Sequence, residues 1–345
     1  MVSGEWRVVS GEGPALWPVS DRATPPTEGL PAAGSGDPCR TCFAHHPKSP
    51  NPQIPKSPSG EGTGASEARL EAKSRQIRRE VLAVCVRNGA GHIAPSLSCL
   101  EILVALYYDV MRYRPREPQW ADRDRLIVSK AHGAYALYAI LADLGVIPRP
   151  QWENFYTPQS SLAGCVERKL AFGLEAGCGS LGHGLPIAVG VALGAKLTGA
   201  GYHTFCLAGD GELQEGTTWE AIQFAVKHRL GNLTIIVDRN RLQAMDFIRN
   251  VMDRDEADLP RRLAGFGLRP AECPGHDPAG LARRLRALRN GRADHPGLLL
   301  ADTVKGFGLK CMEGVPRFHF RVPTPEELGA DKGTGTFFGP EGTEK

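Results

Sequence analysis

The stretch Thr204-Phe-Cys-Leu-Ala-Gly-Asp-Gly-Glu212 decides the fold class of this chain. Residues 204–207 form a short β-rich apolar run that passes directly into Gly209-Asp210-Gly211-Glu212. A second run, residues 233–237, is followed closely by Asn240. The carboxyl ends of neighbouring parallel strands lie at one edge of a sheet, where open α/β sheets bind ligands. We therefore expect the carboxylate and the amide to lie together at such an edge.

Further strand and helix signals extend in both directions from this stretch. Strands are predicted over residues 126–128, 204–207, 233–237 and 298–301. Between them, apolar residues recur at helical spacing, for example from Leu70 to Val84 ahead of a stop at Gly89. Helix starts are predicted from capping boxes at Ser98/Glu101 and Thr217/Glu220, and from Asp277-Pro278. Strands alternating with helices predict an α/β fold, a parallel sheet with helices on both faces.

The polar residues at the predicted sheet edge are suited to a metal-bound diphosphate. Mg²⁺ prefers octahedral oxygen ligands, usually one or two side chains together with phosphate oxygens and water. Asp210, Asn240 and the backbone carbonyl of Leu242 would supply three of them. Gly209 and Gly211 would let the backbone approach phosphate closely.

These residues resemble the thiamine diphosphate signature, in which Asp-Gly follows a strand and Asn lies about thirty residues further on. The wider text, from Gly209-Asp-Gly-Glu-Leu-Gln-Glu-Gly216 to Val237-Asp-Arg-Asn240, resembles the transketolase family. Other segments resemble that family in the same order, namely Gly91-His92-Ile-Ala-Pro-Ser96, residues 123–133 with His132, Gly179-Ser-Leu-Gly-His-Gly184, and residues 302–308 followed by His319. The resemblance covers roughly residues 66–330.

The resemblance implies the fold, the cofactors and the site. The fold is the thiamine diphosphate-binding fold of the diphosphate-binding (PP) domain, and the cofactors are thiamine diphosphate and Mg²⁺. The implied metal ligands are Asp210, Asn240 and Leu242, and the implied catalytic residues are His132, His319 and His92. The residues implied to contact the cofactor are His132, Gly179, Ser180, Leu181, Gly209, Asp210, Gly211, Glu212, Asn240 and His319.

A partner chain is also implied, because the aminopyrimidine of the cofactor is bound by a second domain for which this chain leaves no room. We expect a separate pyrimidine-domain subunit, as in split transketolases, and an α2β2 assembly. The implied reaction transfers a two-carbon ketol unit from a ketose phosphate donor to an aldehyde acceptor.

Three departures from the family pattern keep other functions open. Cys165 stands where the family has a histidine, Ala94-Pro95 replaces small glycines, and Arg241 follows Asn240 where glycine is common. They favour, as an alternative, a specialised subunit that passes the two-carbon unit to an unusual sugar or a carrier-protein thioester. A non-catalytic scaffold subunit is a further alternative. Deoxyxylulose phosphate synthase is less favoured, because that enzyme normally carries both halves in one chain.

The segment Gly177-Cys-Gly-Ser-Leu-Gly182 also satisfies the glycine pattern of dinucleotide-binding proteins. No clear strand precedes it, and the first acidic residue after it is Asp210. A carboxylate for the ribose, expected about twenty residues further on, is missing. A nicotinamide dehydrogenase is therefore not favoured.

Composition limits the remaining functions and the compartment. The 41 Lys and Arg nearly balance the 38 Asp and Glu, which gives no reason to expect nucleic acid or an anionic membrane as a partner. No apolar run approaches the roughly 18–20 residues of a membrane span, and Met1-Val-Ser-Gly-Glu-Trp6 lacks the features of a secretory signal. Nine scattered cysteines are consistent with reduced thiols. We expect a soluble, cytoplasmic protein.

The ends of the chain differ from its centre. Residues 1–65 are rich in Pro, Gly and Ser and predict a disordered extension, residues 66–330 the folded domain, and residues 331–345 a flexible tail. Within the extension, Cys39, Cys42, His45 and His46 have the residue types of a zinc site. The segment offers little structure to support one, so incidental residues are the favoured interpretation.

Overall fold

The fold is built on a five-stranded sheet in which every pairing of neighbouring strands is parallel. The computed structural model describes residues 63–252, 258–291 and 294–331. The strands are β1 (Arg125–Val128), β2 (Thr204–Gly209), β3 (Leu233–Arg239), β4 (Pro270–Pro274) and β5 (Gly297–Asp302). Their order in the sheet is β1-β2-β3-β5-β4. The predicted α/β class is confirmed.

Helices connect the strands. The longer ones are α1 (Thr63–Asn88), α4 (Ala134–Asp143), α6 (Gly184–Thr198), α7 (Gly216–Lys227) and α10 (Pro278–Arg289). The shorter ones are α2 (Ile93–Ser98), α3 (Leu100–Ala105), α5 (Arg149–Glu153), α8 (Ile248–Val251), α9 (Leu259–Gly265) and α11 (Pro325–Asp331). A π-helical turn spans Leu106–Val110, and 3₁₀ turns span Ala131–Gly133, Leu170–Phe172, Gly211–Gln214 and Pro316–Phe320.

Each face of the sheet has its own apolar core, because side chains alternate between the two faces along a strand. On one face, Leu207 and Ile236 pack with residues of α1, α3, α4 and α10. On the other, Cys206 and Val237 pack with residues of α6, α7 and α9. Burial on both faces explains why the strands read as continuous apolar runs.

All four predicted strands are present, and β4 is the strand that the sequence did not predict. Its sequence, Pro270-Ala-Glu-Cys-Pro274, has proline at both ends and one glutamate between them. Proline lacks the N–H that a central strand requires, and it occurs in sheets mainly at edges. The position of β4 at the end of the strand order agrees with that restriction.

Helices begin within two residues of all three predicted starts, at Leu100, Gly216 and Pro278, but the two predicted capping boxes are wrong. Ser98 ends α2, and its hydroxyl donates to Asp238 at a distance of 2.9 Å between oxygens. Helix α7 begins at Gly216, and the hydroxyl of Thr217 donates to the carbonyl of Gly182 at 2.9 Å. In both places a distant acceptor replaces the local capping bond. The start at Asp277 is confirmed, because its carboxylate accepts from the N–H of Gly280.

The predicted ends of the chain lie mostly outside the described residues. Cys39, Cys42, His45 and His46, which we interpret as incidental and not as a zinc site, fall there, as do most of residues 1–65 and of the tail. Helix α1 begins at Thr63, three residues before the predicted start of the folded domain. Within residues 63–252, 258–291 and 294–331, no helix is long and apolar enough to span a membrane.

The start of α6 packs so closely on the end of β1 that residue 184 must be glycine. A Cβ on Gly184 would lie 2.4 Å from the Cβ of Ser129, whereas a Cβ on Gly190 of the same helix would meet no atom within 4 Å. We expect Gly184→Ala to lower the free energy of unfolding by about 1–3 kcal/mol through overpacking.

Gly190→Ala is the matched control, and it should raise the free energy of unfolding by up to about 1 kcal/mol through helix propensity. Urea unfolding followed by circular dichroism measures both. Equal midpoints for the two variants would contradict the packing argument.

Candidate functional site

The predicted metal ligands lie together at the carboxyl edge of the sheet. Asp210 follows the last residue of β2, Asn240 follows the last residue of β3, and Gly209 pairs in register with Asp238. The carboxylate of Asp210 accepts hydrogen bonds from the N–H of Arg241 at 2.5 Å and from that of Gly211 at 2.9 Å. The side chain of Asp210, which follows β2, thus directly contacts the loop that follows β3.

The electrostatics of Asp210 suit a cation. Its side chain is buried, and this burial, together with nearby Asp238, raises the pKa of the carboxyl to about 7. A divalent cation beside the carboxylate would act in the opposite direction and stabilise the ionised form. Asn240 offers a second oxygen, because its Oδ1 accepts from the N–H of Leu242 at 3.0 Å with one of two lone pairs.

Arg241 holds this loop in an unusual conformation. Its φ of +63° lies in the left-handed region, which glycine adopts most easily. This agrees with the glycine that is common at this position in the family that the sequence resembles. The guanidinium donates to Asp302 at 2.8 Å, and Asp302 also accepts from Arg239. These ion pairs connect the loop to the end of β5 and help to hold a backbone conformation that is costly for a non-glycine residue.

A buried polar network, which the sequence did not predict, lies behind Asn240. Lys130 and Asp238 form an ion pair with side chains 1% and 0% exposed. The carboxylate of Asp238 also accepts from the hydroxyls of Ser98 and Thr303, and Ser98 in turn accepts from Nδ2 of Asn240 at 3.0 Å. No local pattern marks these residues, because they come from four separate segments of the chain.

Glu212 connects the predicted cofactor loop, Gly179–Leu181, to the sheet edge. Its carboxylate accepts from the hydroxyl of Ser129, from the N–H of Gly182 at 2.8 Å and from that of Gly209 at 3.1 Å. The side chain of Glu212 is therefore engaged within the protein, and it fixes the loop instead of facing open space.

Close packing restricts the end of this loop further. Gly182 has a φ of +81°, and a Cβ there would lie 2.5 Å from the Cβ of Glu215. Only glycine fits this position. The alternative of a dinucleotide motif over residues 177–182 lacks its structural context, since this loop follows an isolated bridge instead of a strand.

The three predicted catalytic histidines come together although they lie far apart in the sequence. The ring centroids are 5.2 Å apart for His132 and His319, 5.4 Å for His92 and His319, and 6.0 Å for His92 and His132. Phe320, which is 54% exposed, packs edge-on against His92 at 4.6 Å. The cluster thus presents three imidazoles and one aromatic ring at the same place.

Burial and positive charge keep these histidines neutral. Burial lowers the pKa of His132 well below its usual value, with Lys130 adding to the effect. Burial and Lys305 lower the pKa of His319 to about 3. Burial also lowers the pKa of His92, against a raising effect of the backbone carbonyl of Gly164.

Lys305 is a further residue of the site that sequence reasoning missed. Its Nζ lies 2.8 Å from Nδ1 of His319 and donates to the carbonyl of Gln243 at 2.9 Å. Burial, with a contribution from Lys130, lowers its pKa to about 7. The available signal was its place in residues 302–308, between the last strand and His319, but a lone lysine in a motif does not reveal its contacts.

Cys165, which replaces the family histidine, packs partly buried against the core that contains Ala131 and Cys178. Burial raises the pKa of its thiol. Its backbone carbonyl accepts from the hydroxyl of Tyr138 at 3.2 Å. The thiol is thus part of an apolar surface next to the 3₁₀ turn that carries His132.

The edge has unused hydrogen-bonding capacity that fits a polar ligand. Nδ1 of His92 and Nε2 of Gln243 are buried and have no hydrogen-bond partner within the described residues. Lys305 supplies positive charge beside them, and Asp210 with Asn240 supplies oxygen donors. In the described ranges no group of three His, Cys, Asp or Glu could hold a metal. A cation here would need mixed oxygen ligands, as a magnesium diphosphate does.

Comparison with known proteins agrees with this geometry. Residues 71–329 match the family described as "Transketolase, thiamine diphosphate binding domain". The chain is 37% identical over 261 residues to an apulose-4-phosphate transketolase subunit of Actinobacillus succinogenes, a match that covers 75% of this chain and 93% of that protein. It is 32% identical over 257 residues to a 6-deoxy-6-sulfo-D-fructose transketolase subunit of a Clostridium species, covering 74% and 92%.

Solved structures show the same similarity. The transketolase of Leishmania mexicana superposes with a TM-score of 0.69 at 26% identity, over 77% of this chain and 41% of that one. The transketolase of Campylobacter jejuni gives 0.68 at 27% identity, over 78% and 43%. The chain thus spans about two fifths of the length of the solved transketolases that it matches.

The neutral histidines predict a loss of stability in acid. In the unfolded chain a histidine has a pKa of about 6.5, and in the folded chain the pKa values of His132 and His319 lie below that. Between the two values the unfolded chain binds more protons, so the free energy of unfolding falls as the pH drops below about 6.5. No stability is lost through these histidines above the pKa of the unfolded chain, where they are neutral in both states.

His319→Gln isolates part of this effect. In the cofactor-free protein, we expect the urea midpoint to fall from pH 7 to pH 5, and to fall less in the variant than in the wild type. The decrease in urea midpoint that both proteins share measures the contribution of all other titrating groups. An identical pH dependence would show that His319 is not held neutral by its surroundings.

Proposed function

This chain belongs to the transketolase family, and on that premise we propose that it transfers a two-carbon ketol unit from a ketose phosphate to an aldehyde acceptor, with thiamine diphosphate and Mg²⁺. The observation that carries the proposal is the position of Lys305, which donates to the carbonyl of Gln243 in the loop after Asn240 and lies 2.8 Å from Nδ1 of His319 in the histidine cluster. A metal-diphosphate site and a set of proton-carrying groups are the two features that this chemistry requires.

Asp210, Asn240 and the carbonyl of Leu242 are the proposed ligands of Mg²⁺. The contact between Asp210 and the N–H of Arg241 supports this assignment, because it brings the carboxylate to the loop that carries the other two. The raised pKa of Asp210 supports it too, since a buried carboxylate without a cation is destabilised in its ionised form.

The same edge would hold the cofactor. Gly209 and Gly211 let the backbone approach the diphosphate, Lys305 is placed to attract it, and Gly179, Ser180 and Leu181 form the loop proposed to pack on its ring. When bound, thiamine diphosphate supplies the carbon nucleophile and the electron sink for cleavage of a carbon–carbon bond.

The histidines are proposed to orient substrate oxygens and to move protons. While Lys305 is protonated it can only donate, so Nδ1 of His319 accepts and its proton lies on Nε2. His319 then offers an N–H to a substrate oxygen. The lowered pKa values of His132 and His92 favour the neutral imidazole, which both donates and accepts.

A second polypeptide is proposed to complete the site. Two of the similar proteins are named as a transketolase subunit, and this chain covers more than nine tenths of each. It spans about two fifths of the solved transketolases. We assign the pyrimidine-binding part to a separate chain, in an α2β2 assembly.

Two observations favour specialised sugar substrates. The similar subunits are named for apulose 4-phosphate and for 6-deoxy-6-sulfo-D-fructose, and the latter is a ketose, so it would serve as the donor. In this chain the exposed ring of Phe320 lies at the histidine cluster. An aromatic surface there would favour an acceptor that presents C–H groups to it. A scaffold without catalysis is disfavoured by the arrangement of Asp210 and Asn240.

The deciding experiment measures transfer by the two chains together. The full-length chain is co-expressed with a pyrimidine-domain partner and incubated with xylulose 5-phosphate and ribose 5-phosphate. We expect a seven-carbon ketose phosphate to form only when both chains, thiamine diphosphate and Mg²⁺ are present. Size-exclusion chromatography should show a complex heavier than either chain.

The possible outcomes separate the alternatives. Cofactor binding without transfer to ribose 5-phosphate, but with transfer to another acceptor, would establish the specialised function. Failure of the complex to bind thiamine diphosphate in the presence of Mg²⁺ would reject the enzymatic proposal and leave the scaffold. Persistence of the two chains as separate species would reject the assembly.

His132→Ala tests the proposed role of the histidines. An acid–base group typically contributes about a hundredfold or more to the rate. We expect the turnover number of His132→Ala to fall by at least tens of fold. Binding of thiamine diphosphate should persist. The control is His228→Ala, at the exposed end of α7. A near-wild-type rate for His132→Ala would remove this residue from the mechanism.

A further inference from the structure

The amide of Asn240 is useful to a cation only in one of its two orientations. Rotation by 180° about the terminal side-chain bond exchanges the oxygen with the NH₂ group, and only the oxygen binds Mg²⁺. In the structure Oδ1 faces the N–H of Leu242, and Nδ2 faces the hydroxyl of Ser98 at 3.0 Å. The groups around the amide therefore decide whether its oxygen is available to a cation.

Ser98 faces Asn240 as an acceptor because its own proton is used elsewhere. The side chain is fully buried at the end of α2, and its hydroxyl donates to Oδ1 of Asp238 at 2.9 Å. A carboxylate oxygen cannot donate in return. Oγ of Ser98 also lies 3.2 Å from Oγ1 of Thr303, where either hydroxyl can be the donor. With its own proton on Asp238, Ser98 faces Asn240 as an acceptor, and Nδ2 of the amide is the donor on that side.

The ammonium group of Lys130 stabilises the ionised carboxylate of Asp238, and so keeps it as the acceptor of the Ser98 hydroxyl. Its other oxygen accepts from Nζ of Lys130, which is buried with it and which also donates to the carbonyl of Pro95 at 3.2 Å. Thr303 donates a second hydroxyl to the same oxygen of Asp238 that Ser98 uses. Thr303 does not itself contact Asn240, so two hydroxyls share one acceptor and one of them reaches the amide.

A flipped amide would be penalised twice. Nδ2 would then face the N–H of Leu242, a donor against a donor, and Oδ1 would either face the lone pair of Ser98 or draw the Ser98 proton away from Asp238. A buried polar group left without a partner costs about 1–3 kcal/mol. The observed orientation leaves the second lone pair of Oδ1 available.

We propose that Ser98 is a positioning residue for the metal site. Its hydroxyl donates to Asp238 of the Lys130–Asp238 pair, accepts from the amide of Asn240, and so fixes that amide with its oxygen available to the cation. The inference rests on the proposed function, because it assumes that Asn240 binds Mg²⁺. It predicts that cation affinity depends on a serine that never touches the cation.

The test titrates the complex of the full-length chain and its pyrimidine-domain partner with Mn²⁺ at saturating thiamine diphosphate, and electron paramagnetic resonance measures the free metal. We expect Ser98→Ala to weaken binding by about tenfold or more, the usual effect of losing a group that orients a ligand. Thr303→Val is the comparison variant, because it removes a hydroxyl that contacts Asp238 and Ser98 but not the amide of Asn240. It should weaken Mn²⁺ binding less than Ser98→Ala does.

A double-mutant cycle separates positioning from general structure. The two oxygens of a carboxylate are equivalent, so orientation loses its meaning in the Asn240→Asp background. There we expect Ser98→Ala to change the Mn²⁺ dissociation constant by no more than about twofold. An equal loss in both backgrounds would make the role of Ser98 merely structural and overturn the proposal.

Two further outcomes are distinguishable. Tight Mn²⁺ binding by wild type and Ser98→Ala alike would overturn the positioning role and leave the proposed function intact. Absence of Mn²⁺ binding by the wild type would remove the proposed metal site, and the role of Ser98 with it. Urea midpoints of the variants confirm that each one is folded at the assay temperature.

Discussion

The ion pair between Lys130 and Asp238 joins the segments that form the candidate site. Lys130 follows β1 and Asp238 lies near the end of β3, so the pair crosses the end of β2, from which Asp210 emerges. Through Pro95, Ser98 and Thr303 it also contacts α2 and the segment after β5. Both charges are removed from water, and loss of one partner would leave the other uncompensated, at a cost of about 3–5 kcal/mol. The sheet edge therefore depends on a charge pair that lies beneath it.

Around that pair the remaining charges are complementary to a metal diphosphate. Asp210 is a buried carboxylate whose pKa is raised chiefly by burial, and Lys305 is a buried amine whose pKa is lowered chiefly by burial. A ligand that carries a cation and an anion together would relieve both. The histidines stay uncharged beside the lysines, which preserves their capacity to donate and accept. A buried carboxylate and a buried amine at the same edge support the proposed metal-diphosphate cofactor more strongly than either residue alone.

The sequence predicted what depends on local pattern, and it missed what depends on distant contact. Continuous apolar runs identified the buried strands, and Asp277-Pro278 identified a helix start. β4 was hidden because its prolines and glutamate suit only an edge. Ser98 and Thr217 have the residue types of helix caps, but acceptors more than thirty residues away bind their hydroxyls. At the site, the resemblance indicated the three histidines, and the structure brings them together. Lys305 and the network behind Asn240 required the fold.

The three hydrogen bonds of Glu212 have a consequence for how a partner chain would associate. They join the loop at Gly182, the end of β1 at Ser129 and the end of β2 at Gly209 into one rigid unit. A partner chain whose interface included this loop would therefore meet a surface already shaped, and little backbone freedom would remain to be lost there. Its association rate would then be set by encounter and orientation instead of by slow rearrangement.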